Sequence, residues 1–174
     1  MRMYDLIFAK RWPVVRVDSS PYLFASFVGA SVSLVSTACA VVVTSAMVLL
    51  LPKEILGASA AAILSGQAAP AIFVLVVLVV PLWETLIAQL LPLELARGAG
   101  IKDVGSVIIG GIIFGVGHYL NGGLLHGIGA LFGGALFALS YITLRPWGYL
   151  PAFSASWIAH ALHNALMLYV VPAI

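Results

Sequence analysis

Four polar side chains capable of hydrolytic chemistry lie inside apolar stretches of this sequence. They are Glu84 in AIFVLVVLVVPLWETLIAQLL, His118 in FGVGH, and His160 and Asn164 in HALHN. A charged side chain at the centre of a bilayer costs roughly 3 kcal/mol, so an acid kept there is a functional-site candidate by default. No basic residue lies near Glu84 in sequence, so its partners must come from other segments. A carboxylate, two imidazoles and an amide are the groups needed to activate water against a carbonyl. Glu84 would be the general base, His118 would position or polarise the same water, and His160 with Asn164 would donate hydrogen bonds to the developing oxyanion. The same atoms offer a divalent metal such as zinc a set of two histidines and one carboxylate, Glu84, His118 and His160, with water in the open position. Spacing leaves both uses open, because the groups come from three separate helices.

The elements that must carry these residues are membrane helices. Of the 174 residues 63% are hydrophobic and only 8% charged, against about 25% charged in a soluble domain, and the mean hydropathy is +1.15. The expected fold is all-α, a polytopic transmembrane bundle in one domain over 21–174, with 1–20 as a cytoplasmic or interfacial segment. A net charge of +2 gives no reason to expect nucleic acid as a partner. The single cysteine, Cys39, excludes an intrachain disulfide and reads as a small packing residue. No cleavable signal peptide is expected, because the first apolar stretch follows a mixed segment and is long enough to span.

Taken in order, 1–19 carries Arg2, Lys10, Arg11 and Arg16 between Tyr4, Phe8 and Trp12, which suits a cytoplasmic interfacial segment. Spans are expected over 21–51, 70–96, 105–120, 124–144 and 152–171, with an outer loop at 52–69 holding a short surface helix, AAAIL. In the first span Ser26, Gly29, Ser33, Ser36 and Ala40 favour close packing. Pro81, three residues before Glu84, is expected to free backbone carbonyls and bend the helix beside the acid. Seven of the eight Lys and Arg fall on one side of this layout and only Lys53 on the other, so the N-terminus is expected in the cytoplasm. Gly111 with Gly115, and Gly129 with Gly133, form two G-x-x-x-G spacings for close helix approach.

Depth supports a meeting of the polar residues. At 1.5 Å per residue Glu84 lies ~21 Å from the outer end of its span, while His118 and His160 lie ~20 Å and ~14 Å from the inner ends of theirs. Phe114 and His118, four apart, share a helix face, as do His160 and Asn164. His163 is expected to make a packing hydrogen bond or to orient Asn164, His126 to sit at the interface, and Glu94 to pair with Arg97.

These motifs resemble those of the CAAX-protease and bacteriocin-processing family of intramembrane endopeptidases, also called the Abi family, which includes the Ras-converting CAAX proteases. That family's pattern is E-E-x-x-x-R, then F-x-x-x-H, then H-x-x-x-N, each on its own transmembrane helix. The second motif is intact as Phe114-Gly-Val-Gly-His118 and the third as His160-Ala-Leu-His-Asn164, while the first reads Glu84-Thr85-Leu-Ile-Ala-Gln89. The resemblance covers about 70–170. It implies that Glu84, His118, His160 and Asn164 match the catalytic positions, and that Thr85 and Gln89 replace the second Glu and the Arg, a charge pair lost together. It further implies peptide-bond cleavage within or beside a prokaryotic inner membrane, on a hydrophobic or lipidated peptide or protein substrate, with membrane lipid as the other partner. Two further classes stand beside a peptidase. One is an inactive immunity or chaperone-like membrane protein of the same fold. The other is a proton-coupled transporter, for which internal repeats are expected and none is evident between spans two and three and spans four and five.

Overall fold

The structure is a computed structural model describing residues 20–57 and 66–171. The expected interfacial segment 1–19 and the AAAIL helix lie outside the described residues. All regular structure among the described residues is helical. Helix α1 is Pro21–Leu50, and one helical turn, Lys53–Leu56, follows it. Helix α2 is Ala69–Gly98. A continuous helix Asp103–Leu144 is broken at Gly123, whose φ of 77° and ψ of −168° are not helical, so it divides into α3 (103–122) and α4 (124–144). A 3-10 turn, Arg145–Trp147, leads to α5, Tyr149–Tyr169. By length and composition Pro21–Leu50, Ala69–Gly98 and Asp103–Trp147 can each cross a membrane, and Leu34, Leu49, Leu50 and Leu120 are widely exposed on the outside of the bundle. Such a surface belongs in lipid rather than water. The chain is an integral membrane protein built as a polytopic helical bundle.

The arms α3 and α4 form an antiparallel hairpin, and glycine makes its seam. Gly111 abuts Leu131 and Ala135, Gly115 abuts Gly127 and Leu131, Gly127 abuts Tyr119, and Gly134 abuts Phe114 and Gly110. Without a Cβ at these points the backbones come close enough for dispersion to act over the whole length. Only one of the two expected G-x-x-x-G spacings belongs to this seam: Gly111 and Gly115 do, whereas Gly129 and Gly133 face a cavity. Helix α1 packs most extensively on α5, where Gly29 sits against the Ala155 carbonyl and Ile158. Ser33, Ser36 and Ala40 are buried as expected, but Ser26 is exposed and bonds back to the Tyr22 carbonyl.

The main core collects at one end of the bundle. Phe24, Ala25 and Val28 of α1 meet Leu93 of α2, Tyr141 and Leu144 of α4, and Ala152 and Ala155 of α5. A clasp closes that end: Arg145 donates to both oxygens of Glu94 at 2.5 and 3.1 Å, Tyr141 Oη donates to Glu94 Oε1 at 2.8 Å, and the guanidinium lies 3.6 Å over the Tyr149 ring. The expected Glu94–Arg97 pair is therefore not formed, and Arg97 bonds Asp103 at 3.0 Å instead. A planar guanidinium meeting a carboxylate edge-on makes two charge-assisted bonds, which a neighbour one turn away on the same helix does not match. Because this clasp joins α2 to the end of α4, Glu94→Gln is expected to cost about 1–3 kcal/mol. A thermal midpoint in detergent checks this, and an unchanged midpoint would show the clasp to be ornamental.

Candidate functional site

Helix α2 owes its shape to two prolines. It is α-helical at its start, widens to π geometry over Phe73–Val79 ahead of Pro81, and widens again over Thr85–Leu90 ahead of Pro92. The Val80 and Leu91 amides each reach back five residues, to the carbonyls of Leu75 and Leu86. One step further in that register, Pro81 would have to bond the Val76 carbonyl, and a proline has no N–H to give. Asn164 supplies the missing donor: its Nδ2 reaches Val76 O at 2.9 Å. The carbonyl freed by Pro81 thus becomes the anchor by which α5 holds α2, and Glu84 sits between the two widened turns. Such π-turns are frequent at functional sites.

Glu84 meets both expected histidines. Its Oε2 lies 3.8 Å from His118 Nε2 of α3 and 3.5 Å from His160 Nε2 of α5. The Glu84 side chain is 35% exposed while that of His160 is only 2% exposed, so the carboxylate can be reached from outside and its partner is part of the interior. The hydrogen bonds indicate what each imidazole presents. His118 Nδ1 lies 2.9 Å from the Phe114 carbonyl. It must donate there, which leaves the Nε2 lone pair of a neutral ring facing Glu84. His160 Nδ1 is buried with no hydrogen-bond partner. A bare lone pair is cheaper there than a stranded N–H, so the His160 proton belongs on Nε2. With both rings neutral, the carboxylate is flanked by an acceptor on one side and a donor on the other. Phe114 holds both rings, stacking on His118 at 4.6 Å and meeting His160 edge-on at 5.1 Å.

The remaining expected residues take supporting places. Thr85 and Gln89, one turn apart, are both wholly buried. Gln89 Nε2 donates to the Gly134 carbonyl at 3.1 Å, joining α2 to the hairpin, while Thr85 Oγ1 and Gln89 Oε1 have no partner among the described residues. His163 Nδ1 contacts Ser36 Oγ at 3.0 Å and Thr37 Oγ1 at 3.2 Å, so it ties α5 to α1 in the packing role expected. His126 is not merely interfacial: its ring lies edge-to-face with His118 at 4.7 Å. Its place at the start of the fourth span is what suggested an interfacial residue. The sharp turn at Gly123 brings it back beside α3.

Glu84, His118 and His160 converge, yet no group of three His, Cys, Asp or Glu among the described residues has a metal-holding arrangement. Beside the site a cavity of about 580 Å³ opens between α1, α4 and α5, with Lys53, His126, His160, His163 and Asn164 among its lining residues. This opening lies at the end of the bundle away from Arg97, Lys102 and Arg145. The reason is packing: the large buried side chains fill the basic end, and the small residues Ala40, Gly129 and Gly133 leave the other hollow.

Searches among curated proteins and among solved structures gave no match. The family model described as type II CAAX prenyl endopeptidase Rce1-like matches residues 66–166, which spans all three motifs and agrees with the expected extent of 70–170. That match covers more than half of the chain, and with the motifs gathered around Glu84 it shows that the chain belongs to the Rce1-like family of type II CAAX prenyl endopeptidases.

Proposed function

We propose that this protein is an intramembrane endopeptidase that uses Glu84 to activate water. The observation that carries this reading is the placement of Glu84 Oε2 3.8 Å from His118 Nε2 and 3.5 Å from His160 Nε2. The wider of these gaps is too long for a direct hydrogen bond, and one water ~2.8 Å from each atom can donate a proton to both. Glu84 takes a proton as the water oxygen bonds to the scissile carbonyl carbon. His160 Nε2–H, with the second N–H of Asn164, faces the resulting oxyanion. Collapse breaks the C–N bond, and the proton held by Glu84 passes to the leaving amine. No step requires a metal.

The cavity walls favour a hydrophobic or lipidated peptide, drawn from a substrate already in the membrane. A prokaryotic inner membrane is the expected home. If the basic end lies in the cytoplasm, as the positive-inside rule has it, the cavity opens away from the cytoplasm. The immunity or chaperone-like reading rests on the altered first motif alone. Thr85 and Gln89 are buried in helix contacts, a place where their identity bears on folding more than on turnover.

The test is cleavage by the detergent-purified full chain of a panel of hydrophobic and prenylated peptides, with and without a strong chelator. Cleavage that survives the chelator is the expected result. Chelator-sensitive cleavage would replace the metal-free step, and binding without cleavage across the panel would move the assignment to the non-enzymatic class.

A further inference from the structure

Each imidazole beside Glu84 is gripped by two other rings. His160 stacks on Phe137 at 4.9 Å and 22°, and meets Phe114 at 5.1 Å and 75°. His118 stacks on Phe114 at 4.6 Å and 24°, and its perpendicular neighbour is His126 at 4.7 Å and 83°. The grip has the same form in both cases, one parallel ring and one perpendicular ring. For His160 both rings are phenylalanines of the core. For His118 the second comes from the first turn of α4 and stands on the cavity wall.

We propose that His126 is a positioning residue: its edge-to-face contact keeps the His118 ring turned so that Nε2 faces Glu84. Three observations carry this. His118 needs the restraint more than His160 does, since its side chain is 18% exposed against 2%. Its bond to the Phe114 carbonyl pins only one edge of the ring. Room for His126 is made by Gly122, where a Cβ would come within 2.9 Å of both Cβ and Cγ of the His126 side chain. Gly122 is not among the glycines with positive φ, whereas its neighbour Gly123 is. Space rather than backbone conformation therefore calls for glycine at 122. His126 also joins the cavity to the reacting groups, because it lines the cavity while Glu84 and His118 do not. Its Nδ1 is buried and makes no hydrogen bond, so what holds the ring is contact.

The proposal rests on the peptidase reading only for its kinetic arm. His126→Ala and Gly122→Ala are each expected to lower kcat about tenfold with KM within about twofold, since small misplacement of a reacting group is costly. His126→Phe, which keeps a ring and removes the nitrogens, is expected to return kcat to within about threefold of wild type. In the His126→Ala background Gly122→Ala should add nothing, because both act through the same ring.

A second arm needs no turnover. The ring 13Cε1 signals of the chain's four histidines are recorded in detergent, with thermal midpoints as the folding control. The His118 signal is expected to shift or broaden in His126→Ala and to stay sharp in His126→Phe. A wild-type kcat with an unmoved His118 signal in His126→Ala overturns the proposal, as does a loss that His126→Phe fails to restore. If the wild type cleaves nothing, the peptidase reading falls and the spectra alone decide whether His126 holds His118.

Discussion

Glu84→Gln is expected to reduce peptide cleavage by roughly 10³-fold, within the range for losing a general base, and to leave the fold intact. The two halves of this result have separate physical origins. The carboxylate lies within reach of both His118 Nε2 and His160 Nε2, and an amide in its place cannot accept a proton from water. Structurally Glu84 contributes little. Its oxygens approach two imidazoles at distances of 3.5 Å and more, and it spans a gap between two widened turns rather than filling a core position. Replacing it with an isosteric neutral side chain removes a charge from an apolar setting, which stabilises if anything. The paired measurements are kcat/KM on the best peptide of the panel and the thermal midpoint in the same detergent. A variant that folds and retains activity within tenfold of wild type would remove Glu84 from the mechanism. His160 is a poorer first choice because its side chain is only 2% exposed and stacked on Phe137, so lost activity there would be confounded with lost packing.

The largest effect on stability is expected from Gln89→Arg. Gln89 is wholly buried, donates to the Gly134 carbonyl at 3.1 Å, and runs past Gly110, whose missing side chain leaves the passage open. A guanidinium there would be a buried cation with no carboxylate beside it, since the residue one turn earlier is Thr85 and not an acid. An unpaired buried charge costs about 3–5 kcal/mol, which is comparable to the whole stability of many domains. The expected outcome is a chain that does not survive detergent extraction as a monodisperse species. Thr85→Glu alone should fail similarly, with a buried carboxylate and no cation. The double substitution places opposite charges four residues apart on one helix face, and a coupling of about 2 kcal/mol or more between them is expected. Recovery of the double variant in the extracted fraction would show that the two departures from the family's first motif are compensating. If Gln89→Arg extracts as well as wild type, the site is wetter than the packing indicates.

Much of the candidate site was legible because polar residues in apolar runs are expensive and therefore conspicuous. Glu84, His118, His160 and Asn164 each declared themselves in this way, and the four-residue spacing of Phe114 and His118 matches the stacking and the carbonyl bond that now hold the imidazole. Pro81 was equally open to reading, since a missing N–H frees a carbonyl wherever it occurs. Identifying the group that would use this carbonyl required the fold, because Val76 and Asn164 are joined only through the packing of α5 on α2. Charged pairs were misread for the same reason. Glu94 and Arg97 are neighbours in sequence, but Arg145 reaches Glu94 with a two-pronged geometry that no helical spacing encodes.

By itself, then, the sequence determined that this is a helical membrane protein, which polar residues are the candidates for its chemistry and where proline loosens its helices. Those properties follow from local composition, periodicity and the cost of burying polar groups. The tertiary structure alone decided which nitrogen of each histidine faces Glu84, that His126 returns to touch His118, and which end of the bundle is hollow. Each of these depends on contacts between helices distant in sequence, where close packing of small and large side chains chooses one arrangement among many that the same pattern allows.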